Sequence, residues 1–421
     1  MAAATLTVYP EAASVHEGRL AIGGCDVLEL AREFGTPAYI VAEDDLRARA
    51  RDFLRALADH HGERGAVAFA SKAFPCTEVL RIFREEGLVV DVASAGELHL
   101  ARRAGYQPKE IIFHGNAKSE AELATIAELG VMCVIDNLDE IDRLGRHAAA
   151  GRELPVLLRV VPEIETDAHQ AVATGHADQK FGLTLAEARA AIARLGAAPW
   201  ADLQGIHMHI GSQLFDLAPY REAIEVIAGL GPFEHYDLGG GLAVPYTPEQ
   251  RTPSIDEWVA AVAGAAHELL SARDKVLVIE PGRALVAHAG VTLYTVESVK
   301  RRESTWVAVD GGMSDNLRPM LYGAPYTADV ADRLGSTEEP GERCHLAGKH
   351  CESGDVIAWG VQLRDPRPGD VIVTPATGAY GHAMANNYNG VPRPPVILCA
   401  GGEARVAVRR ETLEDLVARD V

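Results

Sequence analysis

Short apolar runs alternate with longer amphipathic segments between residues 37 and 283. The runs are rich in β-branched residues, and the longer segments repeat apolar residues three or four apart, which is typical of strands alternating with helices. The pattern predicts strands at 66–70, 88–92, 111–114, 132–135, 156–161, 203–210, 235–238 and 276–280. Most runs are continuously apolar, as expected for parallel strands covered on both faces. Eight such strands with helical crossovers predict a (β/α)8 TIM-like barrel.

The pattern changes after residue 289 to short β-rich stretches separated by Gly, Pro and Asp. These stretches are at 292–299, 305–309, 355–359 and 370–374. They predict a C-terminal β domain in residues 290–421, after a barrel in residues 37–289. The N-terminal segment, residues 1–36, contains a turn-bounded run at 19–22 that we expect to add a strand to the β domain. The predicted fold class is therefore α/β, with two domains.

Composition and charge exclude several classes of protein. The 421 residues are 48% hydrophobic and 24% charged, which is ordinary globular usage and excludes wholesale disorder. The net charge of −20 disfavours binding to nucleic acid or to anionic membranes. Six cysteines without a CxxC spacing do not form a disulfide scaffold. With no evident signal peptide or membrane-spanning run, we expect a cytoplasmic protein.

Polar residues or glycines follow each predicted strand, at the carboxyl ends where a (β/α)8 barrel places its chemistry. They are Lys72, Asp91, Ser94, His114, Asn116, Asp136, Asn137, Arg159, His209, Ser212, Gly239, Gly240, Gly241, Glu280 and Arg283. We expect Lys72 to be partly desolvated, because it follows an apolar strand and has small and aromatic neighbours. Burial favours the neutral amine, which attacks carbonyls to form Schiff bases. A snorkelling lysine at the barrel rim is the alternative.

Three successive glycines, Gly239 to Gly241, are typical of a phosphate cradle, because no Cβ obstructs the backbone amides. A tight turn is the alternative, and Ser212 is a candidate donor to the same phosphate. His207 and His209 lie two apart on a strand and hence on one face, which also suits metal ligands. Without an HExxH motif or an evident third ligand, we expect no metal. We favour His209 stacking on a flat cofactor, with His207 as a hydrogen-bonded barrel residue.

The last predicted strand ends in a carboxylate, a turn and a guanidinium, in the sequence Glu280-Pro281-Gly282-Arg283. These groups suit opposite ends of a compact zwitterionic ligand, although a salt-bridged loop is an equal alternative. If the ligand contains a pyridine, Glu280 at the ring nitrogen keeps that nitrogen protonated. A protonated ring is the stronger electron sink.

Seven motifs occur in order along nearly the whole chain. They are Ala70-Ser71-Lys72-Ala73, His114-Gly115-Asn116, Asp178-Gln179-Lys180-Phe181-Gly182, His207-Met208-His209-Ile210-Gly211-Ser212-Gln213, Glu280-Pro281-Gly282-Arg283, Cys351-Glu352-Ser353-Gly354-Asp355 and Gly378-Ala379-Tyr380-Gly381. Together they resemble the fold-type III pyridoxal-phosphate enzymes, which have an alanine racemase-like two-domain architecture, and within them the diaminopimelate decarboxylases. Phe74 and Ala243 depart from the family pattern, where Asn and Gly are more usual.

The resemblance implies that Lys72 holds pyridoxal 5'-phosphate covalently and that Glu280 faces the pyridine nitrogen. It also implies a set of further cofactor contacts: Asp91, His209, Ser212, Gly239, Gly240, Gly241, Gly282, Arg283 and Tyr380. Glu97 would line the same pocket. The implied contacts of the far end of the substrate are Arg283, Arg318, Tyr322, Glu352 and Tyr380. Cys351 would be the proton donor, and Cys351 and Glu352 would come from the second subunit of a homodimer.

The implied activity is decarboxylation of meso-2,6-diaminopimelate to L-lysine and CO2. A related decarboxylase of ornithine, arginine or another diamino acid differs mainly at the distal end of the substrate, where Arg318 and Glu352 favour a distal carboxylate. An amino-acid racemase of this fold would place an arginine at the ring nitrogen, whereas Glu280 is acidic. A non-catalytic cofactor-holding protein would leave Arg318 and Cys351 without a role.

Overall fold

The computed structural model describes residues 6–164, 180–334 and 341–421. The strands are β1 (Ala13–His16), β2 (Arg19–Ile22), β3 (Cys25–Asp26), β4 (Ala38–Ala42), β5 (Gly65–Ala70), β6 (Val89–Val92), β7 (Ile111–Phe113), β8 (Met132–Ile135), β9 (Leu154–Arg159), β10 (Ala201–His207), β11 (His235–Asp237), β12 (Val276–Ile279), β13 (Gly290–Arg301), β14 (Thr305–Val309), β15 (Asp329–Val330), β16 (Glu342–Ala347), β17 (Val356–Leu363), β18 (Val371–Thr374), β19 (Val396–Ala400) and β20 (Glu403–Val408). The α-helices are α1 (Val27–Phe34), α2 (Glu43–His60), α3 (Thr77–Glu85), α4 (Ala95–Arg103), α5 (Glu120–Leu129), α6 (Leu138–Gly145), α7 (Leu185–Gly196), α8 (Ala218–Ala228), α9 (Ile255–Leu269), α10 (Arg283–Val286), α11 (Arg318–Tyr322) and α12 (Leu413–Val417).

The described chain divides into two compact units. The barrel unit consists of residues 49–164, 180–243 and 252–282, and the β unit consists of residues 6–48, 244–251, 283–334 and 341–421. The β unit is therefore assembled from separate stretches of the chain, including a short one that follows the glycine triplet.

The barrel unit is built on a closed sheet of eight parallel strands, β5 to β12. Each strand pairs with the next along the chain, and β12 closes the sheet against β5. Helices α3 to α9 connect successive strands. The predicted (β/α)8 barrel is therefore confirmed, and the predicted strand ends differ from the observed ones by at most three residues.

The inside of the barrel changes from apolar to charged along its strands. Five buried side chains on different strands form an apolar cluster: Ala68, Ile112, Val134, Leu157 and Val278. After Ile112, Val134, Leu157 and Val278, the second residue along the chain is polar and buried. These residues are His114, Asp136, Arg159 and Glu280, respectively. Residues two apart on a strand share a face, so the charged side chains form the next layer towards the carboxyl ends of the strands.

The β unit contains a nine-stranded sheet whose main order is β17-β16-β14-β13-β4-β19-β20, with β18 pairing with β13 and β15. The four β-rich stretches predicted after residue 289 correspond to β13, β14, β17 and β18. Residues 19–22 form the expected strand within the β unit. The strand pairs with β1 and β3 in a separate three-stranded sheet of that unit.

The N-terminal strand that joins the larger sheet is β4, which pairs with β13 and β19. Sequence analysis placed these residues at the start of the barrel segment, which was predicted to begin at residue 37. All five residues of β4 are apolar and buried, a pattern that also describes a barrel strand. Pattern alone therefore does not distinguish a central strand of one sheet from a strand of the other.

Two further observations concern the chain as a whole. All six cysteines are free, and all except Cys351 are buried. In the described residues, no helix is both long enough and apolar enough to cross a membrane.

A buried ion pair joins the loop between β7 and α5 to helix α6, which follows the next strand of the barrel. The Lys118 ammonium is 2.5 Å from Oε1 of Glu140, and the two side chains are each 1% exposed. The ammonium also donates to the carbonyl oxygens of Gly115 at 2.9 Å and Val134 at 2.7 Å. The ammonium thus ties the turn that follows His114 to β8 and α6.

Replacing Lys118 with Met should lower the free energy of unfolding by about 3–5 kcal/mol, because it leaves Glu140 buried without its counter-ion. Lys275→Met is the matched control. Lys275 pairs with Glu234 at 2.8 Å, but the Glu234 side chain is 68% exposed, so we expect a loss below about 1 kcal/mol. Urea denaturation of both variants provides the measurement, and equal losses would contradict the assigned role of Lys118.

Candidate functional site

The carboxylate of Glu280 lies between two imidazoles inside the barrel. Nε2 of His114 is 2.8 Å from Oε1 of Glu280, and Nε2 of His207 is 3.1 Å from Oε2. Asp91 approaches His114 with an N–O distance of 3.8 Å. Asp237 completes a group in which ligand atoms of His114, His207, Asp237 and Glu280 all lie within 4.8 Å of one another. All five side chains are buried, so their charges must be balanced within the barrel.

The two histidines keep Glu280 ionised. Burial alone would raise the pKa of Glu280, but His114 and His207 outweigh it and bring the pKa well below its ordinary value. Burial and the neighbouring Glu280 raise the pKa of Asp237 well above its ordinary value. The opposite shifts favour the proton on Asp237 and the negative charge on Glu280.

The other members of the cluster differ in charge. Burial lowers the pKa of His207 to about 4, so this imidazole is neutral. Burial also opposes the charged form of His114, but Glu280 and Asp91 outweigh it and raise the pKa. Burial raises the pKa of Asp91 to about 6. The cluster thus places His114, whose charged form Glu280 and Asp91 favour, in direct contact with the Glu280 carboxylate.

The structure corrects the expected surroundings of His207. From the sequence, His207 shares a strand face with His209 and has no evident third ligand, whereas in the structure it groups with His114, Asp237 and Glu280. These partners come from other strands, so no local spacing indicates them. His207 is hydrogen-bonded to Glu280 at 3.1 Å, and His114 is within ion-pair distance of the same carboxylate.

The imidazole of His209 is oriented by the glycine loop. The amide of Gly240 donates to Nδ1 of His209 at 3.2 Å, which leaves the ring proton on Nε2. Burial, followed by the charge of Lys72, lowers the pKa of His209 well below its ordinary value. The ring is therefore neutral and flat, as stacking on an aromatic ligand requires. Ser212 is half-buried in the turn that follows.

The loop Gly239 to Gly241 has a backbone that other residues cannot adopt. A Cβ on Gly240 would lie 2.1 Å from the carbonyl oxygen of Glu280, and Gly241 has a φ of 118°. The amides of the first two glycines donate to side chains of the barrel, at 3.0 Å and 3.2 Å. In the described contacts, the Gly241 amide has no protein partner.

Lys72 lies on a short 3₁₀ turn, Ser71–Ala73, directly after β5. We expected Lys72 to be partly desolvated, and the structure places it at an exposed position on this turn. The turn carries the residue beyond the end of the strand. The positive charge of Lys72 nevertheless acts on Asp91 and His209, so the amine is near the charged layer. Gly282 packs beside this strand end, where a Cβ would lie 3.0 Å from Cβ of Ala70.

Several other residues at strand ends have local structural roles. Oγ of Ser94 accepts from the amide of Glu97 at 3.2 Å and caps α4. The Glu97 carboxylate in turn accepts from the amide that precedes Ser94, at 2.7 Å. Asn137 caps α6. Arg159 is 3.8 Å from Asp136 within the barrel.

The motif at residues 178–182 is only partly visible. Asp178 and Gln179 lie outside the described residues. Phe181 places its ring 4.3 Å from Cζ of Arg159, within the range of a cation–π contact. The described part of the motif therefore packs on the charged layer of the barrel.

The β unit contains a separate cluster of buried arginines and tyrosines. Arg283 donates to the hydroxyl of Tyr246 at 2.7 Å, and its Cζ lies 4.9 Å from the ring centre of Tyr380. Arg318 donates to the hydroxyl of Tyr326, and its Cζ lies 4.3 Å from the ring centre of Tyr246. Two guanidinium groups are thus held by neutral aromatic side chains.

Cys351 and Glu352 are exposed on a loop with a buried anchor. His350 donates its amide to Asp355 at 3.0 Å, and its Nδ1 is 2.7 Å from the same carboxylate. These two hydrogen bonds fix the residue that directly precedes Cys351. Tyr322, at the end of α11, is half-buried.

Sequence reasoning missed three residues of these clusters: Asp237, Tyr246 and Tyr326. Asp237 directly precedes Leu238 and the glycine triplet at the end of a predicted strand, and this position was a usable signal. Tyr246 and Tyr326 have no such signal, since each lies in an irregular segment and meets its arginine from a distant part of the chain.

Replacing Glu280 with Gln should lower the pKa of His114, because it removes the charge that favours the imidazolium. The folded-state pKa of His114 exceeds its ordinary value of 6.5. His114 therefore stabilises the fold below pH of about 6.5, and this stabilisation is lost as pH rises through the folded-state pKa. We expect the variant to lose that contribution.

An NMR titration of the histidine ring protons measures this pKa. His114→Asn identifies the resonance, and the exposed His99 provides an internal reference that should not move. An unchanged His114 pKa in Glu280→Gln would mean that the two side chains do not interact.

Comparison with known proteins places the chain in a family. Residues 43–287 match the model of the pyridoxal-dependent decarboxylases, for their pyridoxal binding domain. The diaminopimelate decarboxylase of Actinosynnema pretiosum subsp. auranticum is 45% identical over 427 residues, which cover 98% of this chain and 95% of the relative. The enzyme of the same name from Bacillus subtilis (strain 168) is 40% identical, with coverage of 96% and 95%.

A solved structure gives the same relationship. The crystal structure of diaminopimelate decarboxylase from M. jannaschii in complex with L-lysine superposes with a TM-score of 0.89 and 32% identity, and covers 98% of each chain. The agreement extends over both units, beyond the residues that the family model matches. The chain therefore belongs to the pyridoxal-dependent decarboxylases and, within them, to the diaminopimelate decarboxylase family.

Proposed function

We propose that this protein uses pyridoxal 5'-phosphate to decarboxylate meso-2,6-diaminopimelate to L-lysine and CO2, the last step of lysine biosynthesis. The observation that carries the proposal is the 45% identity to a diaminopimelate decarboxylase over 98% of this chain. A biosynthetic role on a small amino acid agrees with the net charge of −20, which disfavours a nucleic-acid partner. We further propose a cytoplasmic location.

The barrel residues fit this cofactor. The glycine loop packs against the end of the last barrel strand, where a Cβ on Gly240 would lie 2.1 Å from the carbonyl oxygen of Glu280, and its Cβ-free backbone suits an anion at the amides. We propose that Lys72 holds the cofactor covalently and that His209 stacks on its ring. The proposed phosphate contacts are Ser212, Gly239, Gly240, Gly241, Gly282, Arg283 and Tyr380. Asp91 would line the same pocket.

When bound, pyridoxal 5'-phosphate supplies an electron sink for the pair released as CO2 departs. The contribution of Glu280 is to hold a proton on the ring nitrogen. Its ionised state, favoured by His114 and His207, would supply the negative charge that stabilises a protonated ring nitrogen. A carboxylate in contact shifts such a pKa upward by about 1–3 units.

The buried cations of the β unit support a substrate with a second carboxylate. In the described residues, no carboxylate lies within 4.0 Å of the Arg318 guanidinium, which is 5% exposed. We propose that Arg318, with Arg283, Tyr322, Tyr380 and Glu352, binds the distal amino-carboxylate. Ornithine and arginine have no carboxylate at that end, so a decarboxylase of these substrates has no use for such a cation.

We propose that Cys351 would donate a proton to the substrate carbon that loses CO2, in the active site of a second subunit. The thiol is exposed, and large apolar side chains are exposed near its loop, namely Met320 (43%), Leu321 (50%) and Tyr388 (41%). Tyr388 stacks on His350 with ring centres 5.9 Å apart. An exposed apolar rim around a reactive loop favours a partner surface, and a homodimer supplies one.

Lys72→Ala should abolish both turnover and the visible absorbance of the enzyme reconstituted with cofactor, because the amine that holds the cofactor is lost. The exposed Lys109→Ala is the control and should retain both. Borohydride trapping followed by peptide mass spectrometry should find the cofactor label on Lys72. A label on another residue, or retained absorbance in Lys72→Ala, would refute the assignment.

Mixing two inactive variants tests the shared site. Lys72→Ala and Cys351→Ala, unfolded together and refolded at equal concentrations, should recover about a quarter of the wild-type activity, since half of random dimers are mixed and each then has one intact site. If Cys351 acts in its own subunit, no mixed dimer has an intact site and no activity returns. Refolded wild type gives the reference.

A further inference from the structure

Arg318 is a buried cation whose direct contacts in the described chain are phenolic. The guanidinium is 5% exposed and donates from Nη1 to the hydroxyl of Tyr326. Its Cζ lies 4.3 Å from the ring centre of Tyr246 and 5.5 Å from that of Tyr326. The two rings meet edge to face, with centres 5.2 Å apart. The guanidinium is therefore held by one hydrogen bond and two aromatic faces.

These contacts fix the guanidinium without neutralising it. Burial raises the pKa of Tyr326 to about 12, so its hydroxyl is neutral at physiological pH. A carboxylate in the same place would cancel the charge, and displacing it would cost the ligand much of its own binding free energy. A phenol accepts the hydrogen bond and leaves the positive charge for a ligand.

Tyr246 also connects this cation to a second one. Its hydroxyl accepts from Arg283 at 2.7 Å, while its face contacts Arg318. Tyr246 is 2% exposed and Tyr326 is 5% exposed, so neither ring can swing into solvent without leaving a cavity. Tyr246 thus contacts both guanidinium groups, one through its hydroxyl and one through its ring, and fixes their separation.

We propose that Tyr326, together with the ring of Tyr246, is a specificity-determining positioning residue, which holds the charged Arg318 so that it selects ligands with a distal carboxylate. The inference rests on the proposed function, because it assigns the selectivity of the same substrate site. Tyr326 acts through Arg318 and makes no contact with the reacting atoms.

L-Lysine and cadaverine differ by the carboxylate alone. Comparing their binding therefore distinguishes selection of the carboxylate from a structural role of Tyr326 that affects both ligands equally. Calorimetric titration of the holoenzyme should show that Tyr326→Phe weakens L-lysine binding about tenfold, as expected for loss of a hydrogen bond to a charged group. Cadaverine binding should change less than about twofold, since it presents no carboxylate to Arg318. In turnover assays, KM for diaminopimelate should rise while kcat is retained.

A second background tests whether the effect passes through Arg318. In Arg318→Ala, the added Tyr326→Phe substitution should not weaken L-lysine binding further, because coupled residues are non-additive. Tyr106→Phe is the matched control. The Tyr106 hydroxyl is buried in the barrel without a partner in the described residues, and its removal should leave both affinities unchanged.

Equal losses for L-lysine and cadaverine, or no loss for either, would overturn the inference. So would full additivity of Tyr326→Phe and Arg318→Ala. A separate outcome, absence of CO2 release from diaminopimelate by the wild-type enzyme, would refute the proposed function. The binding measurements do not depend on that turnover.

Discussion

Side chains two apart on a strand point to the same face, and the arrangement of charges inside the barrel unit depends on this constraint. It places a charged side chain one step beyond an apolar one on several strands, so the apolar cluster supports a charged layer. The carboxylate of Glu280 can remain ionised there because imidazoles from two other strands reach both of its oxygens. Closure of the sheet creates this contact.

Much of this layer could be predicted from sequence, because strand ends in a parallel barrel converge on one mouth. Lys72, His209, the glycine triplet and Glu280 each follow an apolar run, and the structure confirms those runs as barrel strands. Residues 38–42 were expected to lie within the barrel segment that begins at residue 37, but they form β4 of the larger sheet in the β unit. Their five consecutive buried apolar residues have the pattern of a barrel strand, and only pairing partners distant in sequence identify their sheet.

Other features of the two clusters could not be predicted from the sequence. They depend on contacts between residues distant in the chain, or on how neighbouring acidic groups and histidines divide their protons. Tyr246 and Tyr326 meet Arg318 across irregular segments that carry no periodic pattern. The charge states of Glu280 and Asp237 follow from their proximity to each other and to two histidines. The exposure of Lys72 depends on the short turn that follows β5.

The central position of β4 has a consequence for synthesis on the ribosome. Its two sheet neighbours, β13 and β19, come later in the sequence, after all eight barrel strands. The nascent chain must therefore carry an unpaired Ala-Tyr-Ile-Val-Ala segment while the whole barrel is translated. Unpaired apolar strands are prone to aggregate, so this interval is when the polypeptide most needs a chaperone.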